Sequence, residues 1–492
     1  MKIEIIILYI GVFFNIICDL KVKVYNLMEK LRKLNIKYYL LFLYSPIVIN
    51  YLINLGKNSI KQSFLEINFY DLFSTIFLFI FLYQISKEIS HKLDLPYIST
   101  GFVTYMFSFF VIDNLVLLFY TGIKFSYIFI FVNIFWLTIL IFKKTNILSL
   151  SKIIFGFTVL NLYNNLSLNS LSRNMNILGD VQDIHFLHVK NIYLNNYFYS
   201  ISNPNLEGYP QLVAYFHATL NKISISSLEF NYLSSSTNVL LLLTFLLVYE
   251  LDLSRITKFV FIVSFTSLIL NSEWLKFLFI DSLMTEGSLS YLFCVVLLSL
   301  VKDSKSGNGN LIISFFLMGL LYFSKQFIST LSVLVILYYL VNKKTRQYAL
   351  AGTIGIFLKE ISYLTYFKNI NSNFHFRELN FFDTLLDLIL LRDVILSNVF
   401  TILKNLSVDI PLTLIFSYWL LLTMIFFYKT KSLQKDITFF TVLIIINFSL
   451  IFIIYISVLR NAELESPIRY MLNLLHLVLY SQFKIIDLVS ES

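Results

Sequence analysis

Charge is what this sequence has least of. Asp, Glu, Lys and Arg together supply 14% of its 492 residues, where a soluble domain carries roughly a quarter. Hydrophobic residues supply 58% and the mean hydropathy is +0.76, so much of the apolar surface has to face lipid, and a soluble globular chain is excluded. Cysteine is nearly absent too. Cys18 and Cys294 lie far apart, in or beside apolar runs, which excludes a disulfide framework and any zinc-ligand spacing. Glycine and proline are scarce, at 13 and 6. No glycine-rich cradle of the P-loop or dinucleotide type occurs, so a soluble nucleotide donor lacks its usual platform. Neither a G-x-S-x-G elbow nor an H-E-x-x-H pair is present. The formal charge of +9 is not gathered into a patch or stripe, which excludes nucleic acid as a partner. Excess Lys and Arg in such a chain instead marks cytoplasmic loops. Ile, Asn, Lys, Phe and Tyr are over-used in the manner of an AT-rich genome, so a single Asn or Lys carries little weight.

What is present is a series of apolar runs. Crossing about 30 Å of hydrocarbon takes roughly 20 mostly apolar residues. Candidate spans lie near Ile3–Ile17, Tyr38–Leu55, Tyr70–Ile85, Ser99–Tyr120, Phe125–Phe142, Ile153–Leu171, Val239–Leu251 and Phe259–Leu270, then Ser288–Val301, Leu311–Tyr322, Ile328–Val341, Tyr348–Tyr366, Leu412–Tyr428, Phe439–Val458 and Met471–Ile486. Met1–Ile17 is followed rather than preceded by basic residues and has no small-residue cleavage site, so it reads as a first span and not a signal peptide. The expected fold is all-α and polytopic, with about 13–15 transmembrane helices. Residues 1–492 form one multi-span unit without repeats. Basic clusters at Lys21–Lys37, Lys87–Lys92, Lys143–Lys152, Arg255–Lys258, Lys302–Lys305, Lys343–Arg346 and Lys429–Lys435 alternate with the other loops, as the positive-inside rule requires. That phase holds if Phe381–Asp409, with Asp387, Arg392, Asp393 and Lys404 among leucines, lies at the interface instead of crossing. Two segments then stand out on the non-cytoplasmic side: a large loop over 172–236 and a second, interfacial one over 367–410. Four of the six histidines, His185, His188, His217 and His375, fall on that side.

The large loop opens with Leu178–Lys190, which sets Asp180, Asp183, His185, His188 and Lys190 into an otherwise aliphatic and aromatic context. Carboxylates beside a span sit where water thins out, and burial or a nearby cation tunes their pKa toward that of a general base. The plainer alternative is that Asp183 caps a helix N-terminus. The run Asp180-x4-His185-x4-Lys190, followed by Gly208-Tyr209-Pro210, resembles the first large loop of the polytopic GT-C-fold glycosyltransferases. Members of that superfamily carry an acidic residue, a helix with a histidine-to-lysine signature and a tyrosine–proline turn leading back toward the membrane. This chain lacks the proline after His185 and has a single proline at 210. The resemblance implies Asp180 as catalytic base with Asp183 as its rival, and His185 and Tyr209 as residues of the substrate loop. It also implies a second acidic site at Asp281 and Glu286, in the turn before the span that starts near Ser288. The capping alternative for Asp281 stands beside it. Lys190, Lys325 and Arg469 are the cations expected to hold a departing lipid phosphate; long cations at span ends also snorkel without any such role.

The resulting expectation is an inverting glycosyltransferase of a bacterial cytoplasmic membrane. It would move a sugar from a polyprenyl-phosphate donor to an acceptor glycan, lipid or protein on the outer face, for cell-envelope glycan or glycolipid synthesis. No organic cofactor is expected. His185 and His188 are spaced to share a metal with Asp180 or Asp183, but no further ligand is evident, so no metal is assigned. Two alternatives remain: an O-antigen-type polymerase or ligase, and a transporter or flippase. Lys359 and Glu360, inside a span, keep the latter open.

Overall fold

The computed structural model describes residues 42, 44, 45, 69–117, 119–120, 122–167, 187–195, 212–223, 233–271, 285–306, 310–324, 326–369, 410–429, 435–458 and 471–491. Among them every regular element is helical. In hydrocarbon a backbone N–H or C=O finds no water, so long apolar runs close their hydrogen bonds internally. The helices are α1 (Phe69–Lys92), α2 (Ile98–Leu117), α3 (Phe125–Phe142), α4 (Ile147–Ser167), α5 (Leu187–Leu194), α6 (Leu212–Ile223), α7 (Leu233–Glu250) and α8 (Arg255–Asn271). They continue as α9 (Thr285–Ser306), α10 (Leu311–Leu320), α11 (Gln326–Val341), α12 (Arg346–Asn369), α13 (Ile410–Lys429), α14 (Lys435–Val458) and α15 (Leu475–Glu491), with 3-10 turns at Leu321–Phe323 and Leu472–Leu474. Each apolar run expected from Tyr70 onward coincides with one of these helices; Ile3–Ile17 and nearly all of Tyr38–Leu55 lie outside the described residues. Five stretches are long and apolar enough to span a membrane by themselves: Leu72–Lys92, Ile98–Leu117, Phe125–Phe142, Gly287–Lys305 and Leu472–Val489. Among the described residues the protein is thus all-α, with five helices long and apolar enough to cross a membrane.

Burial separates the centre of the bundle from its rim. The spanning part of α9 is 89% buried and that of Leu472–Val489 is 83% buried, against 33% for α3. The outer side of α3 presents Phe131, Ile134 and Phe142, a surface suited to acyl chains. Without a hydrophobic drive between helices in lipid, close packing and interhelical hydrogen bonds set the arrangement. Tyr105 donates to Asn133 Oδ1 at 2.8 Å, and Trp136 Nε1 to Ser108 Oγ at 2.8 Å, fixing α2 on α3. Thr100 and Ser299 share a short hydrogen bond between α2 and α9. Trp419 Nε1 donates to Ser481 Oγ at 3.0 Å, and Gln482 Nε2 to the Ile415 carbonyl at 2.6 Å, joining α13 to α15. Three glycines serve the closest crossing: a Cβ on Gly319 of α10 would overlap the Gly352 carbonyl of α12, and one on Gly355 would lie 2.9 Å from Gly319.

The loop contacts sort the bundle into two ends. At one end Lys302 Nζ lies 4.4 Å from the Tyr97 ring centroid, Asn310 Nδ2 donates to the Asp94 carbonyl at 2.6 Å, and Lys305 pairs with Asp436. Lys484 reaches the Asp252 carbonyl at 2.9 Å, and Lys92 the Lys144 carbonyl at 3.5 Å. The described basic loops linked by these contacts therefore lie at one end of the bundle. Carboxylates cap neighbouring helices here. Glu250, at the last position of α7, accepts from the Ile98 and Ser99 amides and, at 2.7 Å, from Ser99 Oγ. Asp487 of α15 accepts from the Ser254 amide at 2.8 Å and from Thr257 Oγ1 at 2.7 Å, at the start of α8. With glycine scarce, the turns after α1 and α3 place Asp94 and Lys144 in the left-handed region, at φ 50° and 51°. α12 starts at this basic end and runs parallel to α10, while α13 returns to it. The chain thus leaves the described residues at Asn369 and re-enters them at Ile410 on the opposite end; the interfacial segment expected over 367–410 otherwise lies outside them.

Candidate functional site at the end opposite the basic loops

The opposite end is built around a helix that the hydropathy pattern does not announce. α6 has 12 residues and so rises only about 18 Å, too little to cross. All of its residues except Lys222 are nevertheless buried. It belongs to the expected large loop but is inserted among the spans. Tyr215 explains much of this placement: its hydroxyl donates to the Phe109 carbonyl at 3.1 Å, and its ring stands edge-on to Phe110 and Phe125, each 5.3 Å away. Phe216 stands edge-on to Phe102 at 5.8 Å. His217 Nε2 lies 3.1 Å from Ser288 Oγ near the start of α9. Tyr209 and Pro210, where the resemblance implies a turn leading back toward the membrane, lie just before α6 in sequence and outside the described residues.

α5 lies against α6. It buries His188, Val189 and Ile192 and leaves Lys190 exposed. Lys222 Nζ lies 4.6 Å from the centroid of the Tyr193 ring, holding the two helices together, and the Phe125 amide donates to the Asn195 carbonyl at the start of α3. Burial pushes the His188 and His217 imidazoles down to about 4, so both are neutral at pH 7. The same cause lowers the Lys222 ammonium.

The spans contribute their own polar groups at this level. Asp113 of α2 is fully buried, with Asn114 beside it. Three residues after Phe110, it shares the face on which Phe110 meets Tyr215 and, at 4.7 Å, Phe323. The other acids whose side chains are described on the spans and their connections, Glu88, Asp94, Glu250, Asp252, Asp303, Asp436 and Asp487, lie toward the basic end. Deeper in the bundle His476 is held on both ring nitrogens: Nδ1 lies 2.8 Å from Ser290 Oγ and Nε2 lies 3.0 Å from Thr244 Oγ1. Asn473 is fully buried and has no hydrogen-bond partner among the described residues for either amide atom, a burial that costs about 1–3 kcal/mol. The site thus joins elements of the large loop, α5 and α6, to α2, α9 and the start of α15.

The residues expected from sequence are placed unevenly. Asp180, Asp183, His185, Tyr209, Asp281, Lys325 and Arg469 lie outside the described residues. Glu286 is the second residue of α9, and its side chain is not described. Lys190 sits on the exposed side of α5, on the helix expected there. Lys359 and Glu360 fall within α12, as expected. Four polar residues of the site escaped the sequence reading: Asp113, Asn473, His476 and Ser288. Asp113-Asn114 had a usable signal, a carboxylate inside an apolar run, which is costly in lipid and marks function by default. Ser288 and His476 had none, because their significance lies in contacts across 71 and 186 positions of sequence. Among the described residues no group of three or more His, Cys, Asp or Glu side chains is placed to hold a metal ion. Comparison with protein-family models, curated proteins and solved structures finds no match for this chain.

Proposed function

We propose that the protein is a membrane glycosyltransferase of GT-C type that moves a sugar from a polyprenyl-phosphate donor to an acceptor on the non-cytoplasmic side. The observation that carries this reading is α6. The loop that holds Asp180 sends a helix, buried at every residue but Lys222, into the bundle, against Phe110 of α2 and Ser288 of α9. On this reading the carboxylates of that loop, which lie outside the described residues, act on the head of a lipid-borne donor. Gathering of the basic loops at the other end supports a non-cytoplasmic location for this site.

The transfer follows from the residue types. The Asp180 carboxylate takes the proton of an acceptor hydroxyl, with Asp183 as the competing base. The acceptor oxygen bonds to the anomeric carbon as the bond from that carbon to the phosphate oxygen breaks. Polyprenyl phosphate leaves with the bonding pair, and the configuration inverts. Lys190, Lys325 and Arg469 stabilise the departing phosphate, since fixed cations aimed at developing charge lower the barrier most where water is excluded. Asp281 and Glu286 form the second acidic site, and His185 and Tyr209 shape the substrate loop. A bacterial cytoplasmic membrane is the setting proposed.

The test is reconstitution of the wild-type protein in vesicles with polyprenyl-phosphate-linked hexoses and an acceptor extract, reading release of free polyprenyl phosphate. Release that requires both protein and acceptor supports the proposal. A specific observation favours transport as a second reading: Asp113 and His476 are buried charge-capable groups within spans. Movement of labelled lipid-linked sugar across the bilayer without release of polyprenyl phosphate would favour it.

A further inference from the structure

Asn473 poses a sharper question than any other polar group of the bundle. It lies in the turn Leu472–Leu474, which packs on α9, and stands three residues before His476. The two therefore share a face, with Asn473 one turn nearer the site end. That face meets α9, where Ser290 Oγ accepts from the His476 amide at 3.0 Å and contacts Nδ1 at 2.8 Å. Two residues earlier on α9, Ser288 contacts His217 of the inserted helix at 3.1 Å. The opening turns of α9 thus carry two serines, each engaged by an imidazole from a different element. Beside them is a fully buried amide whose nitrogen and oxygen have no partner among the described residues. Asn447 has the same burial and the same lack of partners, but it sits midway along α14, away from this junction.

An amide offers a donor and an acceptor side by side. That pair matches a group that both gives and takes a hydrogen bond, above all the neighbouring hydroxyls of a sugar ring. A phosphate, which only accepts and carries charge, would leave the amide oxygen unmatched. The imidazoles beside it are engaged by serines, His217 by Ser288 at 3.1 Å and His476 by Ser290 at 2.8 Å. We infer that Asn473, flanked by the Ser288–His217 and Ser290–His476 pairs, forms a subsite that reads the hydroxyl groups of the sugar, separate from the cations proposed to hold the phosphate. The inference rests on the lipid-linked-sugar reading and adds to it which part of the molecule discriminates the sugar.

The experiment compares binding of a polyprenyl-phosphate hexose (glucose, galactose and mannose forms) with binding of the same polyprenyl phosphate without sugar. Binding to the full chain in lipid nanodiscs is read by native mass spectrometry. The wild type is expected to prefer one sugar-bearing lipid by tenfold or more. Asn473→Leu, which replaces an unmatched amide with an apolar side chain of similar size, should abolish that preference and leave binding of the bare lipid unchanged; Asn447→Leu should keep it. If Asn473→Leu fails to fold, Asn473→Ala makes the same comparison without added bulk. A preference that survives in the Asn473 variant overturns the subsite while leaving the donor reading intact. Equal binding of sugar-bearing and bare lipid by the wild type also overturns the subsite alone. Binding of neither lipid overturns both.

Discussion

Glu250 tests whether the two-ended packing of the bundle is right. It is the last residue of α7, yet its carboxylate accepts from the Ile98 and Ser99 amides and from Ser99 Oγ at the start of α2, about 150 positions earlier in the chain. The first turn of a helix leaves its amides without partners, and a carboxylate there also meets the positive end of the helix dipole. Losing a helix cap typically costs about 0.5–2 kcal/mol, and hydrogen bonds to a charged group are worth about 1.5–3 kcal/mol each. Since Glu250 is only partly buried, solvent takes back part of this. Glu250→Ala is therefore expected to destabilise by about 2–3 kcal/mol, and Glu250→Gln, which keeps one acceptor oxygen, by about 1 kcal/mol. Reversible unfolding in mixed micelles, followed by helical circular dichroism, supplies the measurement. A Glu250→Ala protein within about 0.5 kcal/mol of the wild type would mean that α7 does not cap α2, and the assignment of the basic end would lose its firmest contact.

Other expectations follow from the same geometry. Gly352→Leu should separate α10 from α12, because even a Cβ there meets Ile336 at 2.8 Å and the Phe315 carbonyl at 3.1 Å; a loss of at least about 3 kcal/mol or failure to accumulate in membranes is expected, and wild-type stability would refute the crossing. Burial holds His188 and His217 near 4, against an unfolded value of about 6.5. Between those pH values the unfolded chain binds more protons, so stability is full above about 6.5 and falls as pH drops toward 4. Replacing His217 by Gln should flatten that acid limb in a series of melting temperatures from neutral pH downward, and an unchanged slope would count against its burial. Lys144→Gly should stabilise by about 0.5–1 kcal/mol, since a left-handed φ is strained for any side chain but glycine's hydrogen; a destabilised variant would argue against that turn.

The apolar runs were legible because lipid enforces one rule on the backbone, and length with composition suffices to find the helices. Phe125–Phe142 was read with the boundaries that α3 has. α6 was missed for the opposite reason. Its sequence, Leu-Val-Ala-Tyr-Phe-His-Ala-Thr-Leu-Asn-Lys-Ile, is too short and too mixed to count as a span, and its burial comes from packing of Tyr215 and Phe216 against α2 and α3. The polar stretch at Leu178–Lys190 drew attention by contrast with its surroundings, which also explains why Asp113 escaped: it is a single letter inside an apolar run. The histidine–serine pairs of α9 depend on how distant helices dock, and no local pattern encodes that.

The central claim is that Asp180 deprotonates the acceptor in a transfer from a lipid-phosphate sugar. Asp180→Asn in reconstituted vesicles tests it most directly, because the amide keeps the shape and cannot take the proton. Removal of a positioned base is worth about 10²–10⁴-fold, so release of polyprenyl phosphate should fall at least 100-fold while donor binding and helical content match the wild type. An Asp180→Asn protein that transfers sugar at the wild-type rate would contradict the claim.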